Sequence, residues 1–323
     1  MRAIRRILAA VKDPGARALP AVNKAVQLAR ALDAELELFH AIDSPYYTDM
    51  LGMTAERTRR MEFDESREYL QRLERIAARA RLHARRVSVA VEWDYPAYEA
   101  IVRRSLKIGA DLVVTECHAG RRIAPGLLRL SDWELLRLSP LPVLLVKGMR
   151  PYHHPTILMA LDPSHAFAKP ARLDEEIVQV GSAVAAALRG RLHAVHAYAT
   201  VTAGMAGPAA AAGLRAQEAA AASARVSLDH ALRSTAVPPA CRHVVAGDPT
   251  AAVRNAARRL RAGIVVAGAV SRSGLKGAFI GNTAERLLDR LSCDLLIVKP
   301  AEFACPVPRT VRGARLVAVE PLG

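Results

Sequence analysis

Residues 263–300 read GIVVAGAVSRSGLKGAFIGNTAERLLDRLSCDLLIVKP, and this stretch decides the fold. It opens on a short apolar run, Ile264 to Ala267, that stops at Gly268. A Gly-rich, basic loop follows, then Gly281-Asn282-Thr283 opens an amphipathic helical segment, Ala284 to Leu291. After Ser292-Cys293 a second apolar run, Leu295 to Val298, closes the unit. Strand, glycine loop, helix start and strand in this order suit an anion. Glycines let backbone N–H groups approach phosphate oxygens, and the unpaired N–H groups of a first helical turn add a partial positive charge. The competing reading is an ordinary strand-loop-helix connection rich in small residues.

Working outward, the same landmarks occur twice. Ile7-Leu8-Ala9-Ala10-Val11 returns as Ile157-Leu158-Met159-Ala160-Leu161, and Asp94-Tyr95-Pro96-Ala97 has its echo in Asp248-Pro249-Thr250-Ala251. Gly109-Ala110-Asp111-Leu112-Val113-Val114 matches Arg261-Ala262-Gly263-Ile264-Val265-Val266, and Val143–Lys147 matches Leu295–Lys299. Matching landmarks in one order at a nearly constant offset mark a tandem duplication. Domains are expected at 1–148 and 155–300, joined by a Pro-bounded linker, with a tail at 301–323 that shows no clear element. Within each copy, short Val/Ile/Leu runs alternate with helical periodicity. The pattern predicts strands near 4–11, 35–42, 86–91, 111–115 and 142–147, and again near 156–161, 191–198, 242–246, 263–267 and 294–298. Helices are predicted near 19–32, 63–82, 96–108 and 131–139, and near 173–189, 212–234, 249–261 and 282–291, with 200–213 a mobile loop. Such alternation implies, for each copy, a five-stranded parallel α/β sheet flanked by helices. Ligands of such sheets sit beyond the carboxyl ends of the strands where the strand order reverses, which brings Leu161-Asp162-Pro163 beside Gly268.

Composition narrows the function classes. The 323 residues are 51% hydrophobic, enough for two buried cores, and no apolar run reaches the roughly 18 residues of a membrane span. The N-terminus lacks a signal-peptide pattern, and Cys117, Cys241, Cys293 and Cys305 are scattered without a CxxC pair, so a reduced, cytoplasmic protein is expected. The formal charge is +15, and with seven lysines among the 46 basic residues it is carried by 39 arginines. These are spread over helices, as at Arg72, Arg75, Arg79 and Arg81, and aromatics are only 4% of the chain. Nucleic acid and membrane are therefore set aside as partners.

The spacing from Gly268 over Ser271 to Gly281-Asn282 resembles the G-x2-G-x9-G-[S/T] nucleotide loop of the universal stress protein family, with Ser271 at the second glycine and Asn282 at the hydroxyl position. The resemblance covers residues 1–300 and points to the tandem, E-type subgroup. It implies two flavodoxin-like (Rossmann-like) domains, an intramolecular pseudo-dimer, further homodimers in some cases, and adenine-nucleotide binding by some members. Carried over residue by residue, it implies ATP, with Mg, at Asp162, Ala197, Ala267, Gly268, Ser271, Gly281, Asn282 and Thr283, with Arg272 or Lys276 as counter-charges. Ser271 adds a side chain where glycine permits closest approach, and Asn282 supplies an amide for a hydroxyl. The first copy departs further: Lys12 replaces the aspartate, the loop 115–133 lacks the paired glycines, and Asp132 caps its own helix and repels an anion. That half is read as having lost the nucleotide.

Other constellations carry less. His193 and His196 point to opposite faces of one strand and are read as packing residues. Cys117-His118 is a weak candidate for metal or redox chemistry, and Asp248 is expected to cap the helix that begins at Pro249. The favoured reading is a non-catalytic, stress-response regulatory protein that binds ATP or a related adenine nucleotide in its second half. A weak ATPase using the same loop, and a scaffold or apolar-ligand binder without nucleotide, are the alternatives.

Overall fold

The structure, a computed structural model, describes residues 3–42, 55–117, 130–164, 172–200, 208–269 and 282–310. They form two compact units. The N-terminal unit holds residues 3–152 together with 304–310, and the C-terminal unit holds residues 153–303.

The N-terminal unit alternates β1 (Arg6–Ala10), α1 (Pro20–Leu32), β2 (Glu35–Ile42), α2 (Ala55–Ala80), β3 (Val87–Trp93), α3 (Ala97–Lys107), β4 (Leu112–Glu116), α4 (Leu130–Leu138) and β5 (Val143–Val146). The C-terminal unit repeats the sequence of elements with β6 (Thr156–Leu161), α5 (Leu173–Ala187), β7 (Arg191–Tyr198), α6 (Pro208–Ala231), β8 (Arg242–Ala246), α7 (Pro249–Leu260), β9 (Ile264–Gly268), α8 (Asn282–Arg290) and β10 (Asp294–Val298). A 3-10 turn, Pro239–Cys241, precedes β8. All pairings inside each unit are parallel, and the strand order is 3-2-1-4-5 in each, the start of the Rossmann arrangement.

The elements follow from the residues. Strands inside each sheet are continuous apolar runs: LVVTE in β4, VLLV in β5, IVVAG in β9 and DLLIV in β10 bury nearly every residue. The outer strand β8, RHVVA, is only half-buried. Helix α1 starts with Pro20 at its first position, buries Ala21, Val22, Ala25, Val26, Leu28 and Ala29, and ends where Asp33 turns left-handed and donates its N–H to Ala29. Asp248 caps α7 as expected, its carboxylate accepting from the N–H of Ala251 at 2.8 Å.

Two helices begin earlier than the apolar periodicity predicts. Helix α2 starts at Ala55 rather than near 63, through AERTRRME, which is rich in helix-favouring residues but has no apolar stripe to read. Helix α6 starts at Pro208, so residues 208–213 belong to a helix and not to a mobile loop. Proline at the first helical position followed by four alanines explains it. No described helix is long and apolar enough to cross a membrane. No disulfide joins the four cysteines, all of which are among the described residues.

Candidate functional site

In the C-terminal unit the strand order reverses between β6 and β9, whose ladder pairs Ile157 with Ile264 and Ala160 with Ala267. Asp162 therefore leaves the sheet beside Gly268, at the switch point where ligands of this architecture bind. Asp162 is 7% exposed. Its backbone N–H donates to the Asp174 carboxylate in the first turn of α5, at 3.0 Å to Oδ2 and 3.2 Å to Oδ1. Its own Oδ2 is buried and has no hydrogen-bond partner among the described residues.

Ser164, which the sequence reading did not name, and His196, which it read as a packing residue, complete this corner. The Ser164 hydroxyl lies 3.3 Å from both Asp162 Oδ1 and His196 Nε2. His196 is fully buried, and its Nδ1 donates to the carbonyl of Leu161 at 3.2 Å. Serine, histidine and aspartate thus meet here, but Asp162 Oδ1 stays 4.0 Å from His196 Nδ1, whose proton is committed to Leu161. The carboxylate does not orient the imidazole, so this is no acyl-transfer triad. The histidine fastens the end of β7 to the end of β6 instead. The N-terminal unit does the same with His40, whose Nδ1 lies 2.7 Å from the carbonyl of Val11. Phe39-His40-Ala41 and Val195-His196-Ala197 are a further repeated landmark in the sequence, overlooked because the flanking residues differ.

Ala197 runs one residue past the β6–β7 ladder, which ends at Leu161 and His196, and Ala267 and Gly268 end β9. A Cβ built on Gly268 would lie 2.5 Å from Leu173 Cδ2 and 3.1 Å from Ile177 Cδ1. Glycine here lets the start of α5 close over the strand end. Asn282 and Thr283 are the first two residues of α8, their side chains lying outside what the structure describes. Ser271, Gly281, Arg272 and Lys276, and His118 beside Cys117, also lie outside the described residues. Among the described residues no group of three or more His, Cys, Asp or Glu side chains could hold a metal ion.

The equivalent corner of the N-terminal unit is closed by its own charges. Lys12, in the place of Asp162, forms an ion pair with Asp132 in the first turn of α4. The sequence reading named both residues but assigned Asp132 to capping its helix. Paired charges 120 positions apart leave no local signature. Glu116 stands in the place of Gly268, and its Oε1 lies 3.4 Å from the N–H of Ala21 in α1. Burial raises the Glu116 carboxyl above its ordinary value, against the pull of that N–H and of Lys12.

A model of the universal stress protein family matches residues 3–147 and again 156–299. The chain belongs to the universal stress protein family. Universal stress protein E of Escherichia coli K12 is 29% identical over 303 residues, covering 92% of this chain and 95% of its own length. Two solved chains from Pseudomonas aeruginosa, each 24% identical, superpose with TM-scores of 0.68 and 0.70. Both cover 93% of this chain, and 94% and 95% of theirs, so the duplicated fold is shared from end to end.

Proposed function

We propose that this universal stress protein is a non-catalytic regulatory protein whose C-terminal unit binds ATP or a related adenine nucleotide. The observation that carries the reading is the Asp162 carboxylate, buried at the switch point with Oδ2 unpartnered among the described residues. A buried acceptor without a donor costs about 1–3 kcal/mol, and a ligand N–H or hydroxyl relieves it. Asp162 would accept from the base or ribose, Ala197 would face the adenine, and Ala267 and Gly268 would lie beneath it. The first turn of α8, opening at Asn282-Thr283, would receive the phosphates with Ser271 and Gly281, and Mg would enter on those phosphates.

The N-terminal cleft is not part of this reading, since Lys12 and Asp132 neutralise one another there. Hydrolysis is disfavoured because the one polar cluster at the described site holds no carboxylate-oriented base. Calorimetric titration of the full chain with Mg-ATP tests the proposal. One site is expected, lost in Asp162→Ala and kept in Lys12→Ala. Absence of any heat or thermal shift with ATP, ADP or AMP sinks it.

A further inference from the structure

In the N-terminal unit, α1 and α2 enclose a groove of about 1060 Å3 on the outside of the sheet. Arg17, Lys24 and Arg30 line it from α1 and the residues before it, and Arg72, Arg75 and Arg79 from α2. No carboxylate is among its described lining residues. Lys24 is buried against the Tyr152 ring, 4.7 Å from its centroid, and Arg72 pairs with Glu68 at the outer edge. Arg17, Arg30, Arg75 and Arg79 are exposed and make no ion pair among the described residues.

The duplicated unit supplies an internal control. Its α5 and α6 flank the equivalent groove, of about 620 Å3, and that one is lined by Asp174, Glu175, His230 and Arg233. An Arg-rich composition alone would have filled both grooves with arginine. The concentration of cations, and the exclusion of acids, is particular to the N-terminal unit.

We propose that this groove binds the phosphate backbone of single-stranded nucleic acid without reading its bases, contrary to the expectation from composition. Arg72, Arg75 and Arg79 follow i, i+3, i+7 spacing on one helix face, stepping about 4.5 and 6 Å along the axis at 1.5 Å per residue. A regular row of guanidinium forks suits a regular row of phosphates. No Phe, Tyr or Trp is among the described lining residues, and His83 is the one ring there, so bases find at most a single stacking contact and recognition is by charge. The site is concave, and among its described lining residues only Leu82 and Met149 are exposed large hydrophobics, which suits a strand laid into a cleft better than a flat bilayer. The inference is independent of nucleotide binding in the C-terminal unit.

The test is fluorescence anisotropy of a labelled mixed-sequence single strand of about 20 nucleotides with the full chain, titrated across salt concentrations. Binding is expected, with log Kobs falling linearly in log salt by about 0.7 per phosphate neutralised. Arg75→Glu with Arg79→Glu should weaken binding by about tenfold or more and flatten the slope. Arg75→Lys with Arg79→Lys should retain it. Arg215→Glu with Arg254→Glu, the same charge change on exposed sites of the C-terminal unit, should leave it within about twofold if the groove and not net charge is responsible. Circular-dichroism melts check folding. Should the Glu pair unfold the chain, Arg75→Gln with Arg79→Gln decides by the same criteria. Four results overturn the proposal: no binding by the wild type, an equal loss in the control pair, or equal groove-dependent binding of either phosphatidylglycerol vesicles or poly-glutamate.

Discussion

The two switch-point corners of this universal stress protein began as one structure and now treat charge in opposite ways. In the C-terminal unit the end of β6 holds Asp162, with a buried oxygen unpartnered among the described residues, and the end of β9 is a bare Gly268. In the N-terminal unit the same places hold Lys12, paired with Asp132, and Glu116, which reaches the first turn of α1. In one copy a buried carboxylate oxygen has no partner among the described residues. In the other, Lys12 and Asp132 neutralise one another. A second contrast runs under the third helix of each unit. Glu37, Arg104 and Glu92 make a buried ion cluster in the first, with Arg104 Nε 2.7 Å from Glu37 and Nη1 2.8 Å from Glu92. Hydrogen bonds to Glu37, chiefly, raise the Arg104 guanidinium above its ordinary value although burial opposes. In the second unit the corresponding face carries His193 stacked on His243, with Nδ1 to Nε2 at 3.1 Å.

The largest expected effect lies in that ion cluster. Arg104→Ala strands the buried Glu37 carboxylate and leaves Glu92 with Lys107 alone, 3.6 Å away, and should cost about 3–5 kcal/mol, visible as a large fall in Tm by calorimetry. An unchanged Tm would show the cluster to be a bystander. Next comes the ligand. Mg-ATP at about 100 times its Kd should stabilise the protein by about 2.7 kcal/mol. Asp162→Ala should abolish that gain while Lys12→Ala preserves it, and the reverse outcome would exchange the roles of the two corners. Gly268→Ala forces a methyl into Leu173 and should cost about 1–3 kcal/mol in urea unfolding, with ligand binding weakened in parallel. If Gly268→Ala proves neutral, the close packing of α5 on β9 is not what keeps this glycine.

The smallest effect concerns pH. Burial, first of all, lowers the pKa of His193 and His243 from the ordinary 6.5, with neighbouring Arg191, Arg225 and Arg259 adding to it. A histidine depressed in the folded state contributes nothing unfavourable while neutral. As pH falls below about 6.5 the unfolded chain takes up protons more readily, so stability should decline into the acid range. Replacing both residues by Gln should flatten that decline. An identical pH profile would assign it to other groups, His40 first, whose pKa burial also lowers.

The sheet was legible because its strands are uninterrupted apolar runs and its duplication keeps landmarks in register, as Ile7–Val11 and Ile157–Leu161 show. Asp248 was legible because capping is local. What escaped were features that join distant residues: Lys12 with Asp132, Ser164 with His196, and Arg17 and Arg30 with the α2 arginines. Each partner was visible, but only folding sets them face to face. The starts of α2 and α6 escaped for a different reason, since turns of good helix formers without spaced apolar residues carry no periodic signal.

The last described residues carry a practical consequence. The Cys305 thiol reaches the carbonyl of Leu138 at 3.6 Å and Val307 is buried, so residues 304–310 complete the unit with which the chain began. Order along the chain and order in space therefore disagree. Cutting the gene at the linker does not yield two whole halves: a fragment ending at Tyr152 lacks its closing segment, and one running from His153 to Gly323 carries that segment away from its seat. Shifting residues 304–323 to the front of the chain, through a spacer before Ala3, would make the first unit continuous in sequence.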